Sequence, residues 1–267
     1  MNNIVRETSS EIRAIARTAL KGNWGKVTLG VFVYYVLIST IPALMTALLP
    51  NAAMSFYLDE MGEYVTVSYV ANLYNLFLSG ALTVGLCSFF LAFFRRKEIN
   101  PGHLFNGFEY FFKSLGLMVL YTIIVSLFTL LLIIPGIIAS FALSQCFIIL
   151  ADHPEKGIVE CLKESKALMK GNKGKLFCLM FSFIGWLILA TLVITAISFV
   201  VLMFASPLAY YGAVGLAGVS GTLLDLVLSI PVIVVMAYML TAETVFYELA
   251  SGNLQAKPAF NDEDYHF

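Results

Sequence analysis

All sixteen lysines and arginines of this 267-residue chain fall in four places: residues 6–26, residues 95–113, residues 156–175, and Lys257. Long apolar runs separate them. A helix needs about 20 mostly apolar residues to cross a bilayer, and it must satisfy its own backbone hydrogen bonds there. Only 12 % of the chain is charged, against roughly 25 % in a soluble domain. The pattern predicts an all-α polytopic integral membrane protein.

Six runs are long enough or nearly so: Val27–Leu49, Ala71–Phe94, Ser114–Ile134, the shorter Ile137–Ala151, Leu176–Phe204, and Thr222–Tyr247 with Pro231 inside it. The third and fourth are parted by Pro135-Gly136, read as a hairpin turn because Pro interrupts the ladder and Gly permits the reversal. The charges support two crossings there. Arg95, Arg96, Lys97 and Lys113 precede the pair, and Lys156 and its neighbours follow it. Basic residues stay on the cytoplasmic side. The intervening segments 50–70, 135–136 and 205–221 carry no cation, and the first holds Asp59, Glu60 and Glu63. Six spans in a bacterial cell membrane, with both termini cytoplasmic, violate the rule nowhere. Segment 205–221 is expected to be a loop or a half-inserted hairpin.

One phrase occurs twice. LKGNWGK (20–26) and MKGNKGK (169–175) share five positions, and each precedes an apolar run. Upstream of the first, Ile12, Ile15, Ala16, Ala19 and Leu20 form a helical stripe, and Thr8 with Glu11 forms a capping box. Upstream of the second, Ile158, Cys161, Leu162, Ser165, Leu168 and Met169 do the same, with Asp152, Pro154 and Glu155 as the start. A third stripe, Leu104, Phe105, Phe108, Phe111 and Phe112, follows Asn100-Pro101. The chain therefore reads as a single integral membrane domain of three tandem units, 1–99, 100–151 and 152–250, each an interfacial amphipathic helix plus a helical hairpin. A cytoplasmic tail, 251–267, follows. The phrase is read as a helix-cap joint. Gly22-Asn23 and Gly171-Asn172 end a surface helix in left-handed backbone. Lys21, Lys26, Lys170, Lys173, Lys175 and Trp24, with Arg95, Arg96 and Lys97, are candidate lipid-headgroup contacts. A nucleotide loop is disfavoured, since Val27 or Leu176 stands where Ser or Thr would hold magnesium.

Four stretches resemble a known family: EIRAIARTALKGNWGK (11–26), LLIIPGIIASFALSQCFIILADHP (131–154), ESKALMKGNKGKLFCLMFSFIGWLIL (164–189) and AYMLTAETVFYEL (237–249). The chain resembles the bacterial integral-membrane proteins grouped as domain of unknown function 975. That resemblance implies a membrane protein and supplies no catalytic residues.

Chemistry is sparse. Cys87, Cys146, Cys161 and Cys178 are at least 15 residues apart, without metal-ligand spacing. Gly218-Val219-Ser220-Gly221 resembles the serine motif of intramembrane proteases, but His103, His153 and His266 all read as cytoplasmic, so no base shares its depth. His103 and His153 near Asp152, Glu155 and Glu109 make only a thin metal site. Ionisable or polar groups inside spans are better pointers. Asp225, Glu243 and Gln145 are the candidates for a coupling or polar pathway. The expectation is a non-enzymatic protein without cofactor or nucleic acid, organising anionic membrane lipids or a membrane protein partner. The alternative is a small-molecule or lipid transporter using polar groups in spans four and six.

Overall fold

The computed structural model describes residues 3–49, 53–58, 63–209 and 214–254. Among these, six helices are long and apolar enough to cross a membrane: Trp24–Leu48, Tyr69–Arg96, Phe111–Leu131, Ile133–Asp152, Lys173–Val200 and Ile230–Ser251. A surface helix, α1 (Ser9–Leu20), leads into α2 (Trp24–Tyr35) and α3 (Ile41–Leu48), which together form span one. A π-helical turn, Val36–Thr40, joins them just before Pro42. In that turn the Leu37 carbonyl would accept from the N–H that Pro42 lacks. The Tyr74 hydroxyl donates to it instead, at 2.8 Å.

The segment between spans one and two, expected to be a loop, holds a two-stranded antiparallel hairpin. Strand β1 (Ala53–Leu58) pairs with β2 (Glu63–Ser68), with Tyr57 opposite Tyr64. Apart from this hairpin, the elements among the described residues are all helical. Ser68 then caps the 28-residue α4 (Tyr69–Arg96), accepting from Ala71 N–H.

The third expected surface helix is instead a 3-10 segment, Pro101–Phe108, that runs back along α4. Two glycines permit this. A Cβ on Gly85 would enter the Leu104 carbonyl, and one on Gly107 would enter that of Ala81. Leu104 is buried, while Phe105 and Phe112 are exposed, so the expected stripe does not hold. Close backbone contact overrides the helical periodicity there.

Span three is α5 (Phe111–Leu131). Span four is α6 (Ile133–Leu143) followed by α7 (Cys146–Asp152). The chain reverses at Leu132, the one extended residue between α5 and α6. The expected turn residues Pro135 and Gly136 lie instead in the first turn of α6. Pro is tolerated there because the N–H would be unpaired anyway, and Gly136 lets the helix pass Thr129 closely.

The second surface helix, α8 (Ile158–Leu168), starts later than Asp152, which is the last residue of α7. It leads to α9 (Lys173–Phe181) and α10 (Ile184–Ala209), then α11 (Val214–Leu228) and α12 (Ile230–Ser251). The expected loop 205–221 is therefore largely helical: α10 continues past its span and α11 returns to pack on α3. The ladder passes from α11 into α12 through Ser229 N–H to Asp225 O (2.9 Å) and Ile233 N–H to Ser229 O (3.0 Å). Span six begins at Ile230, eight residues later than the sequence suggests, with Pro231 in its first turn.

The core sits at one end. Every residue of the α1 stripe, and Cys161, Leu162, Ser165, Leu168 and Met169 of α8, is buried. All but Leu20 and Ser165 pack with the last turns of α4 and α12 and with α7 in one cluster, and Leu20 joins a second with Val27, Phe89, Phe93 and Leu104. The stripes that would lie on lipid in an interfacial helix are covered by protein.

Candidate functional site

Charged side chains from three spans meet at the packed end. Arg95, at the close of α4, donates to Asp152 through Nη1 (2.5 Å) and Nη2 (2.9 Å), a forked pairing that fits guanidinium to carboxylate. Its Nε donates to Glu248 Oε1 on α12 at 2.8 Å. Tyr247 O–H donates to Asp152 Oδ2 at 2.9 Å. The two carboxylate side chains are almost wholly enclosed, at 11 % and 4 % exposure. One arginine thus ties spans two, four and six together. Lys113 adds span three, donating to the Pro154 carbonyl at 2.7 Å.

About one and a half helical turns outward along α12, Glu243 faces a cavity of about 120 Å3 shared with Thr83, Cys87, Ser144, Gln145 and Thr244. Gln145 is fully buried in the break between α6 and α7. Its Nε2 donates to Glu243 Oε1 at 3.4 Å, and its Oε1 has no protein partner. The lining contains no cation. A carboxyl, an amide and three hydroxyls around so small a space suit a proton or water rather than a bulky solute.

The structure brings together two of the three expected pathway residues. Asp225 is apart from them, exposed on α11 and outside the lining of that cavity.

Of the candidate headgroup contacts, Arg95 is committed to carboxylates and cannot serve lipid as a free cation. Arg96 lies 3.5 Å from Glu98, and Lys97 caps α4 in left-handed backbone over the Phe93 ring. Burial pushes the Lys97 ammonium below its ordinary range. Lys21, Lys26 and Lys170 are exposed, Lys173 is half-buried, and Trp24 packs edge-on against Tyr238. Lys175 donates to the Arg6 and Glu7 carbonyls, each at 3.3 Å.

Both joints share one backbone. Gly22 and Gly171 have φ of 80° and 89°, and each phrase closes its helix with i to i+3 bonds: Lys21 N–H to Thr18 O and Lys170 N–H to Ala167 O. Their asparagines differ. Asn23 makes no capping bond. Asn172 is fully buried; it accepts from Val5 N–H (3.0 Å) and donates to Asn3 O and Leu168 O (2.9 Å each). Asn3 N–H in turn reaches Ala250 O at 3.3 Å. The second joint therefore clamps the N-terminal segment onto the end of α12.

The sequence reading missed the Arg95 cluster. The signal was present as an acid near one end of each of two spans, Asp152 and Glu248, facing basic Arg95 at the end of a third. Among the described residues, no group of three or more His, Cys, Asp or Glu is arranged to hold a metal.

A model of the family described as protein of unknown function (DUF975) matches residues 1–138 and 117–253. No curated protein and no solved structure matches the chain.

Proposed function

The chain belongs to the DUF975 family of unknown function, and from that premise we propose that it is a non-enzymatic protein of the bacterial cell membrane that organises anionic lipid or a membrane protein partner at its cytoplasmic face. The observation that carries this reading is the separation of charge from core. The surface helices bury their apolar stripes in protein, which turns their basic faces outward. Arg13, Arg17, Lys21, Lys26, Lys166 and Lys173 have no carboxylate partner among the described residues. Each such cation near an anionic bilayer contributes about 1 kcal/mol of attraction.

In this reading both termini are cytoplasmic and three related units, 1–99, 100–151 and 152–250, follow one another before the tail. The matching backbone at Gly22 and Gly171 supports a relation between the first and third units; the middle one opens with a 3-10 segment instead. Orientation is tested by single cysteines in a cysteine-free background. Glu60→Cys should label from outside intact cells and Lys163→Cys only after permeabilisation; the reverse pattern sinks the topology. Function is tested by gentle extraction and mass spectrometry of what remains bound. Enrichment of acidic lipid or a stoichiometric protein supports the reading, and recovery of neither sinks it.

Transport is the second reading, favoured by the Glu243–Gln145 cavity. Buried ionisable groups in spans mark ion or proton paths. Under it, Glu243→Gln abolishes flux in proteoliposomes while the protein remains folded; unchanged flux removes it.

A further inference from the structure

A groove of about 460 Å3 lies on the flank of the molecule, away from the Glu243 cavity. That volume is within the usual range for small-molecule sites, roughly 300–1,000 Å3. One end is cationic: Arg13 and Arg17, one turn apart on α1, with Ser10. The other end is apolar: Trp186 on α10, and Val234 and Val235 on α12. Trp24 and Tyr238 stand between. They are fixed in place, because Tyr238 O–H donates to the Arg13 carbonyl at 3.1 Å and its ring meets Trp24 and Phe183 edge-on. Arg13 spends only its Nε, on Ser9 O at 3.3 Å. Neither arginine has a carboxylate partner among the described residues.

We propose that this groove seats one acidic phospholipid, with its phosphate between Arg13 and Arg17 and an acyl chain along Trp186, Val234 and Val235. Two guanidiniums match a phosphate diester in charge and geometry. The apolar wall continues from them onto the side of two spans, the path an acyl chain takes and one that a soluble anion has no use for. The proposal rests on the reading that the basic face meets anionic lipid, and it assigns that role to two residues rather than to the face as a whole.

The chain has two tryptophans, and both line this groove. The full-length protein in phosphatidylcholine nanodiscs is titrated with phosphatidylglycerol brominated on its acyl chains, which quenches tryptophan on contact. Brominated phosphatidylcholine is the reference. The expected result is half-quenching at a mole fraction lower by about fivefold per arginine, with the preference lost in R13Q/R17Q and kept in the control K163Q, at an exposed position. Should the double variant not fold, Arg17→Gln, at an exposed position, carries the test with a partial loss. Equal quenching by both lipids overturns the groove. A preference that survives R13Q/R17Q but falls in K163Q also overturns it, while leaving the broader reading standing. Competition by millimolar inorganic phosphate assigns the arginines to a free anion and overturns the lipid.

Discussion

The two ends of this molecule solve different solvent problems. At the packed end α4, α7 and α12 are wrapped by α1, α8 and the 3-10 segment, and most of their polar groups are paired inside the wrap. Away from it the same chain opens. Within the spans, 61 % of the apolar stretch of Tyr69–Arg96 is buried, against 11 % for Phe111–Leu131 and 17 % for Lys173–Val200. The tip from Leu130 to Ile134 is almost bare, with each of its residues at least 67 % exposed. Lipid is as apolar as leucine, so exposing those side chains costs little in a bilayer. Polar groups gain nothing from lipid, and they gather where protein can pair them. Specific structure is therefore concentrated at the packed end.

That contrast is tested most severely by glycine. Gly85→Ala places a Cβ in the Leu104 carbonyl, and neither backbone can yield. A loss of about 3 kcal/mol or more is expected, read as failure to recover folded protein or a large drop in detergent melting temperature. Gly185→Ala, at the start of α10 with nothing within 4 Å of its new Cβ, should be neutral or slightly stabilising. Equal effects would erase the distinction between the wrapped and the open surfaces of the spans.

Next in size is Arg95→Gln. It strands two nearly enclosed carboxylates and should cost about 3 kcal/mol, as breaking an enclosed ion pair does. Adding Asp152→Asn should restore part of it, because the uncompensated charge goes with its partner. A double variant worse than Arg95→Gln alone would mean that Asp152 stabilises the fold by some other contact.

These sites also mark how far the sequence could be read. The spans, the capping box at Thr8 and the apolar stripes of α1 and α8 were legible because each is a local periodicity. The 3-10 segment was not, because Gly85 and Gly107 act on each other across the fold while Leu104 and Phe108 still keep helical spacing. The reversal at Leu132 was mistaken for Pro135 because Pro marks a helix start as readily as a break. Gln145 and Glu243 were legible as polar residues in apolar runs. Asp225 drew the same reading, since no local pattern tells that it lies on α11 and away from the Glu243 cavity. The Arg95 cluster needed the pairing of spans 57 and 153 residues apart in sequence, which no local pattern supplies.

The two joints allow a finer comparison within the packed end. Asn172→Ala removes three hydrogen bonds from a buried side chain and should cost about 2 kcal/mol, with faster hydrogen exchange at Val5 N–H. Asn23→Ala, which loses no capping bond, should cost under about 1 kcal/mol. Parity would show that the shared backbone, and not the clamp on the N-terminal segment, sets the worth of the phrase.

The smallest effect concerns the wrap itself. Glu11 accepts from Thr8 N–H at 2.6 Å and from Thr8 Oγ at 3.0 Å. These bonds hold its carboxyl below the usual carboxylate range. The folded value is the depressed one, so its contribution is fully present above the unfolded pKa, about 4.3, and fades as pH falls through the folded value. The group is exposed and the contribution is small, below about 1 kcal/mol. Protection of the α1 amides, taken relative to their intrinsic exchange at each pH, should fall between neutral and acidic pH in the parent, and Glu11→Gln should start less protected and change less. If the variant tracks the parent, the cap does not hold α1. If α1 frays while the thermal stability of the packed core stays constant, α1 is a lining laid over a finished core, and only the 3-10 segment and α8 remain to account for the packing at that end.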